Sequence, residues 1–193
     1  METVGAIQIR RWSRVEFEKM IECGIFAPDT RAELIDGEIF SMAPQQSLHA
    51  AAISLAEESL RTVFGAGYTI RPQLPLALDP YSEPEPDIAV VPGSARDYVA
   101  GHPAGALLVV EIADSSLTYD RQQKAGLYAR TGIADYWIVN LVDRKIEIHH
   151  APAPAAASPF GWAYNRVESH TTSGYVTPLA APSARIPVAD LLP

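Results

Sequence analysis

Residues Leu107 to Ser116 read LLVVEIADSS, and this stretch limits the fold more than any other. Side chains alternate across a strand, so Leu107, Val109, Glu111 and Ala113 share one face, and Leu108, Val110 and Ile112 share the other. Both faces are apolar, which predicts a strand buried inside a sheet with helices on both sides. Glu111 enters this run without a break. An ionised carboxylate in such a place costs several kcal/mol or more unless it is paired or bound to a metal. An ion pair with a nearby arginine is one explanation, and a cation site is the other.

The elements around this strand follow from local signals. Ser13 and Glu16 form a capping box ahead of a helix whose apolar side would carry Val15, Phe17, Met20 and Ile21, ended by Gly24. Asp36-Gly37, between two short apolar runs, predicts a hairpin. A second helix opens at Ser47, with His49, Ile53, Ala56 and Leu60 on one face. Pro72 and Pro75 confine the segment after Gly67 to a sheet edge or a bulge. DIAVV, entered through Pro86, is a short buried strand. A third helix covers LTYDRQQKAGLYAR, with Asp120 and Gln123 as a cap and Gly132 at its end. ADYWIVN and KIEIHH form a hairpin around Asp143. Ala151 to Ser158, rich in Ala and Pro, reads as a surface connection, and the tail as two or three edge strands with a final apolar VADLL. The order of helices and strands predicts one α/β (mixed α+β) domain over residues 1–193, with a core of about 30–150 and a C-terminal β extension at 159–193.

Composition removes several function classes. The 193 residues are 48% hydrophobic and 20% charged, which suits a packed domain rather than a disordered chain. The net charge of -8 argues against a broad electrostatic footprint on nucleic acid. Cys23 is the single cysteine, expected to be a buried thiol near a helix end, so no internal disulfide or cysteine-rich zinc site can form. No apolar run approaches the roughly 18 residues of a membrane span, and the first residues lack the apolar segment of a signal peptide. A reducing cytoplasm is the expected location. There is no phosphate-binding glycine loop and no Gly-x-Ser-x-Gly motif.

Three residues point to chemistry. Asp87 begins a buried strand, where it either caps a turn or lies beside Glu111. Two close carboxylates repel unless protonated or bridged by a cation, and such oxygen sites suit Mg²⁺ or Mn²⁺. Lys124 lies three residues before Leu127 and four before Tyr128, on the helix face expected to meet the sheet. It either snorkels to solvent or offsets the two carboxylates. Asp, Glu and Lys around a metal form a phosphodiester-cleaving set, in which the metal activates water and stabilises phosphate charge. Glu83 and Glu85, flanking prolines, are expected to face water. Tyr136 and Trp137 read as core or interface. His149 and His150 have no ligand partner nearby in sequence.

The layout EPDIAVV … LLVVEIADSSLTYDRQQKAGLYARTGIADYWIVN, with AELIDGEIFSMAPQQSLHA upstream and KIEIHH downstream, resembles the Uma-two family of restriction endonucleases within the PD-(D/E)XK nuclease superfamily. The resemblance covers most of the chain and implies a restriction-endonuclease-like core, a central mixed sheet flanked by helices. It implies a Mg²⁺- or Mn²⁺-dependent endonuclease acting on DNA, with Asp87 and Glu111 as metal ligands. The superfamily lysine, two residues after the glutamate, is replaced here by Ala113, and Lys124 matches the lysine of the Uma-two pattern. The family's serine three residues after the glutamate is Asp114 here, an added ligand or a loop cap. Glu33 and His49 also match, as an extra carboxylate and as a phosphate or water contact. An exposed hairpin charge and a satisfied core histidine are the alternatives for these two. Gln73 is a lesser candidate. The resemblance also implies a homodimer. A catalytically silent scaffold binding a protein or nucleic-acid partner is the competing reading.

Overall fold

The computed structural model describes residues 9–27, 30–42 and 44–193. Six strands form one mixed sheet in the order β3 (Tyr68–Pro72), β4 (Ile88–Pro92), β5 (Leu108–Ala113), β6 (Asp135–Asn140), β7 (Lys145–Pro154), β8 (Trp162–Thr171). Neighbours are antiparallel except β5 and β6. A parallel pair needs a crossover, and the helical segment 117–130 supplies it. We call this segment α3. Its parts are Leu117–Tyr119, a π-helical turn Asp120–Lys124, and Ala125–Arg130. Short β9 (Tyr175–Val176) and β10 (Ile186–Pro187) pair beside the sheet.

The alternation of β5 works as expected, and all six of its residues are buried. Leu108, Val110 and Ile112 join Ala52, Ile53, Ala56 and Leu60 of α2 (Ser47–Val63) and the C-terminal Val188, Leu191 and Leu192 in one core. Val109 and Ala113 join Ala125, Tyr128 and Ala129 of α3 in a second core on the opposite face. The proline-limited β3 is an edge strand.

The hairpin β1 (Ala32–Ile35) to β2 (Glu38–Ser41) turns at Asp36 and Gly37, whose φ angles of 49° and 85° are those of a tight hairpin turn. A Cβ on Gly37 would stand 2.6 Å from the Arg11 Cβ, so glycine is required twice over. The hairpin is tied to the sheet side through the Leu34–Glu83 backbone pair.

The structure departs from the sequence reading in places. The capping box of α1 (Arg14–Glu22) is present, but only Phe17 of its apolar residues is buried. Phe26 turns back onto Phe17 at a ring separation of 5.8 Å, and Cys23 is exposed rather than buried. Glu83 is 4% exposed instead of facing water, because its backbone is recruited by β1. Burial pushes its carboxyl up to about 7. Asp120 does not cap α3; it lies inside the π turn, buried. The Ala/Pro stretch is partly ordered as strand, since β7 continues to Pro154.

Candidate active site

β4 and β5 run antiparallel with Ile88 opposite Val110. One step further places Asp87 level with Glu111. The main-chain ladder does not continue there; the side chains take it over. The Asp87 N–H donates to Glu111 Oε2 at 3.3 Å, and the Ile112 N–H donates to Asp87 Oδ2 at 2.8 Å. Both carboxylates are therefore held by backbone at the end of a buried sheet.

Three other elements converge on this pair. From β1, Glu33 is 1% exposed, so it is no surface hairpin charge, and its Oε1 accepts the Glu85 N–H at 3.1 Å. From the first turn of α2, His49 Nε2 lies 3.1 Å from Asp87 Oδ1. From α3, Lys124 is 2% exposed, and its Nζ lies 2.8 Å from Glu33 Oε2 and 3.2 Å from Glu111 Oε1. Glu111 thus pairs with a lysine, not with an arginine. The Tyr128 hydroxyl donates to the same Glu111 Oε1 at 2.6 Å. Asp87, Glu111, Lys124, Glu33 and His49, which lie far apart in sequence, form one hydrogen-bonded cluster.

The cluster opens into a cavity of about 170 Å³. Its lining carries six carboxylates, from Glu33, Glu85, Asp87, Glu111, Asp114 and Asp120, against two permanent cations, Arg31 and Lys124. Burial drives the Glu111 carboxyl up to about 8; Lys124 pulls it down, while Asp87, Asp120 and Glu33 push it further up. Burial raises Asp120 to about 6, against the Ser116 hydroxyl bonded to it at 2.6 Å. Burial also raises Glu85, against the pull of Arg31. Burial pushes Lys124 down, but Glu111 and Glu33 outweigh it and the ammonium is held well above its ordinary value. Burial likewise opposes His49, yet the Asp87 hydrogen bond and charge leave it raised.

Asp120 and Tyr128 escaped the sequence reading as site residues. Lys124 stands midway between them, four residues from each, and the helical spacing that paired it with Tyr128 applies equally upstream. The π turn, visible only in the structure, marks the same segment. The Ala125 N–H reaches back five residues to the Asp120 carbonyl, which also accepts the Tyr136 hydroxyl at 3.1 Å. Such one-turn bulges recur at functional sites. Asp114 lines the cavity. Gln73 does not: its N–H bonds the Asp87 carbonyl at 3.0 Å, while its side-chain nitrogen is buried without a partner.

Residues 14–178 match the Uma-two family, described as "putative restriction endonuclease". The chain belongs to this family. A solved structure described as "a putative nuclease belonging to DUF820", from Anabaena variabilis, is similar with a TM-score of 0.67 and 16% identity, covering 93% of this chain and 96% of that one. At that identity the likeness speaks to the fold, which both chains share nearly end to end. No curated protein matches. Among the described residues, no helix of this Uma-two chain is long and apolar enough to cross a membrane.

Proposed function

We propose that this Uma-two protein is a metal-dependent endonuclease that hydrolyses DNA phosphodiester bonds, with Mg²⁺ or Mn²⁺ held by Asp87 and Glu111. The observation that carries this reading is the pairing of two backbone-held carboxylates on adjacent strands at the mouth of an acidic cavity. Six carboxyl groups against two permanent cations make a lining that favours a cation ahead of a phosphate. The donors are hard oxygens, which fit Mg²⁺ and Mn²⁺. Among the described residues, no three His, Cys, Asp or Glu side chains stand close enough to cage a metal alone. A two-carboxylate site completed by water and phosphate is the habit of Mg²⁺ rather than of a structural metal.

Bound there, the cation would lower the pKa of a water and stabilise charge on the phosphate. The chain's own residues then divide the work. His49 braces the Asp87 oxygen that faces α2. Lys124, buried between Glu33 and Glu111, balances their charge in place of the lysine missing at Ala113. Arg31, at the cavity rim, is the cation placed to meet a phosphate.

A second reading keeps the fold and drops the chemistry. The net charge of -8 and the enclosure of Lys124 favour a silent scaffold for a protein or nucleic-acid partner. Incubation of supercoiled and single-stranded DNA with the protein and Mg²⁺ or Mn²⁺, beside Asp87→Asn and Glu111→Gln, separates the two. Cleavage lost in both folded variants supports the nuclease. Equal background in all three supports the scaffold.

A further inference from the structure

Glu111 has two oxygens in unequal settings. Oε1 is taken by two side-chain donors from α3, the Tyr128 hydroxyl at 2.6 Å and the Lys124 ammonium at 3.2 Å. Among the described residues, Oε2 meets only the Asp87 N–H, at a long 3.3 Å. Tyr128 is 0% exposed, so its hydroxyl cannot reach solvent or substrate. Its ring is fixed by Tyr136 at a centroid separation of 5.1 Å, and its helix by the core on that face of the sheet. The hydroxyl therefore has one task, on Glu111 Oε1.

We propose that Tyr128 is a positioning residue: with Lys124 it clamps Glu111 Oε1, fixes the carboxylate plane, and leaves Oε2 as the oxygen offered to the cation beside Asp87. This rests on the metal-site reading above. The two donors stand four residues apart on one helix, so a single element sets both. Metal-binding carboxylates are commonly oriented by such outer hydrogen bonds, and losing one typically costs about 10- to 100-fold in metal affinity.

The test is Mn²⁺ titration by calorimetry on the wild type, Tyr128→Phe, Glu111→Gln and the double variant, with urea unfolding of each. Tyr128→Phe keeps the ring and its packing and removes only the hydroxyl. The expected result is a folded variant that binds Mn²⁺ about tenfold more weakly. Unchanged affinity in folded Tyr128→Phe overturns the positioning role while the metal site stands. No Mn²⁺ binding in the wild type overturns both. If Tyr128→Phe does not fold, site-specific 3-fluorotyrosine at 128 replaces it. That residue keeps the donor and carries a fluorine beside it, and a ¹⁹F resonance that does not move when Mg²⁺ saturates the site then overturns the role.

Discussion

Glu111→Gln should stabilise this protein at alkaline pH while removing a ligand of the proposed metal site. Glutamine preserves shape and removes the charge. In the folded wild type, burial raises the Glu111 carboxyl from 4.5 to about 8. Between those values the folded state holds a proton that the unfolded chain has released, so wild-type stability falls as pH rises. At about 1.4 kcal/mol per pH unit, the full displacement costs roughly 5 kcal/mol once the pH exceeds 8. The variant escapes this cost. Most of that displacement lies between pH 5 and pH 8, so the stability of Glu111→Gln relative to wild type should rise by about 3.5 kcal/mol over that range. Urea unfolding of both proteins at pH 5, 6.5 and 8, with EDTA present, measures this difference directly. Glu83 titrates in the same range but is common to both proteins. A difference that is flat with pH, or that turns against the variant as pH rises, refutes the claim that Glu111 is an electrostatic burden on the fold.

Lys124→Met leaves Glu33 and Glu111 buried without their ammonium and should cost about 3–5 kcal/mol at pH 8, with part regained near pH 5, by urea unfolding at both pH values. His149, held down at about 4 by burial, resists protonation that the unfolded chain accepts near 6.5. It should therefore cost roughly 3 kcal/mol as pH falls from 6.5 to 4, and an acid-unfolding curve of His149→Phe should be shallower over that range. Arg130 bonds Asp36 at 2.6 Å and Asp79 at 2.7 Å, tying α3 to the hairpin turn. Arg130→Ala should lower the unfolding free energy by about 1–2 kcal/mol and speed hydrogen exchange across β1 and β2 first.

Much of the fold was legible because its signals are local. The Asp36-Gly37 turn, the Ser13 capping box and the two-faced β5 each depend on residues within a few positions, and each is present. The candidate site was legible for a different reason: Glu111 and Lys124 are charged residues at positions where periodicity demands apolar ones. What stayed hidden required contacts between distant segments. Glu83 looked exposed until β1 paired with its backbone. Cys23 lies at a helix end whose burial no local signal sets, and it is exposed. Tyr128 reads as an ordinary core residue, and only the structure shows its hydroxyl on a carboxylate. Asp120 resembled a helix cap because the π turn that carries it inward has no sequence signature of its own.

On the proposed function, a cation beside Asp87 is what keeps a carboxylate in β5. The most direct test is calorimetric titration of Mn²⁺ into the wild type and into Glu111→Gln, with both shown to be folded by circular dichroism. The expected result is binding in the wild type that is lost in the folded variant. Absence of binding in the wild type, or equal binding in both proteins, would contradict it.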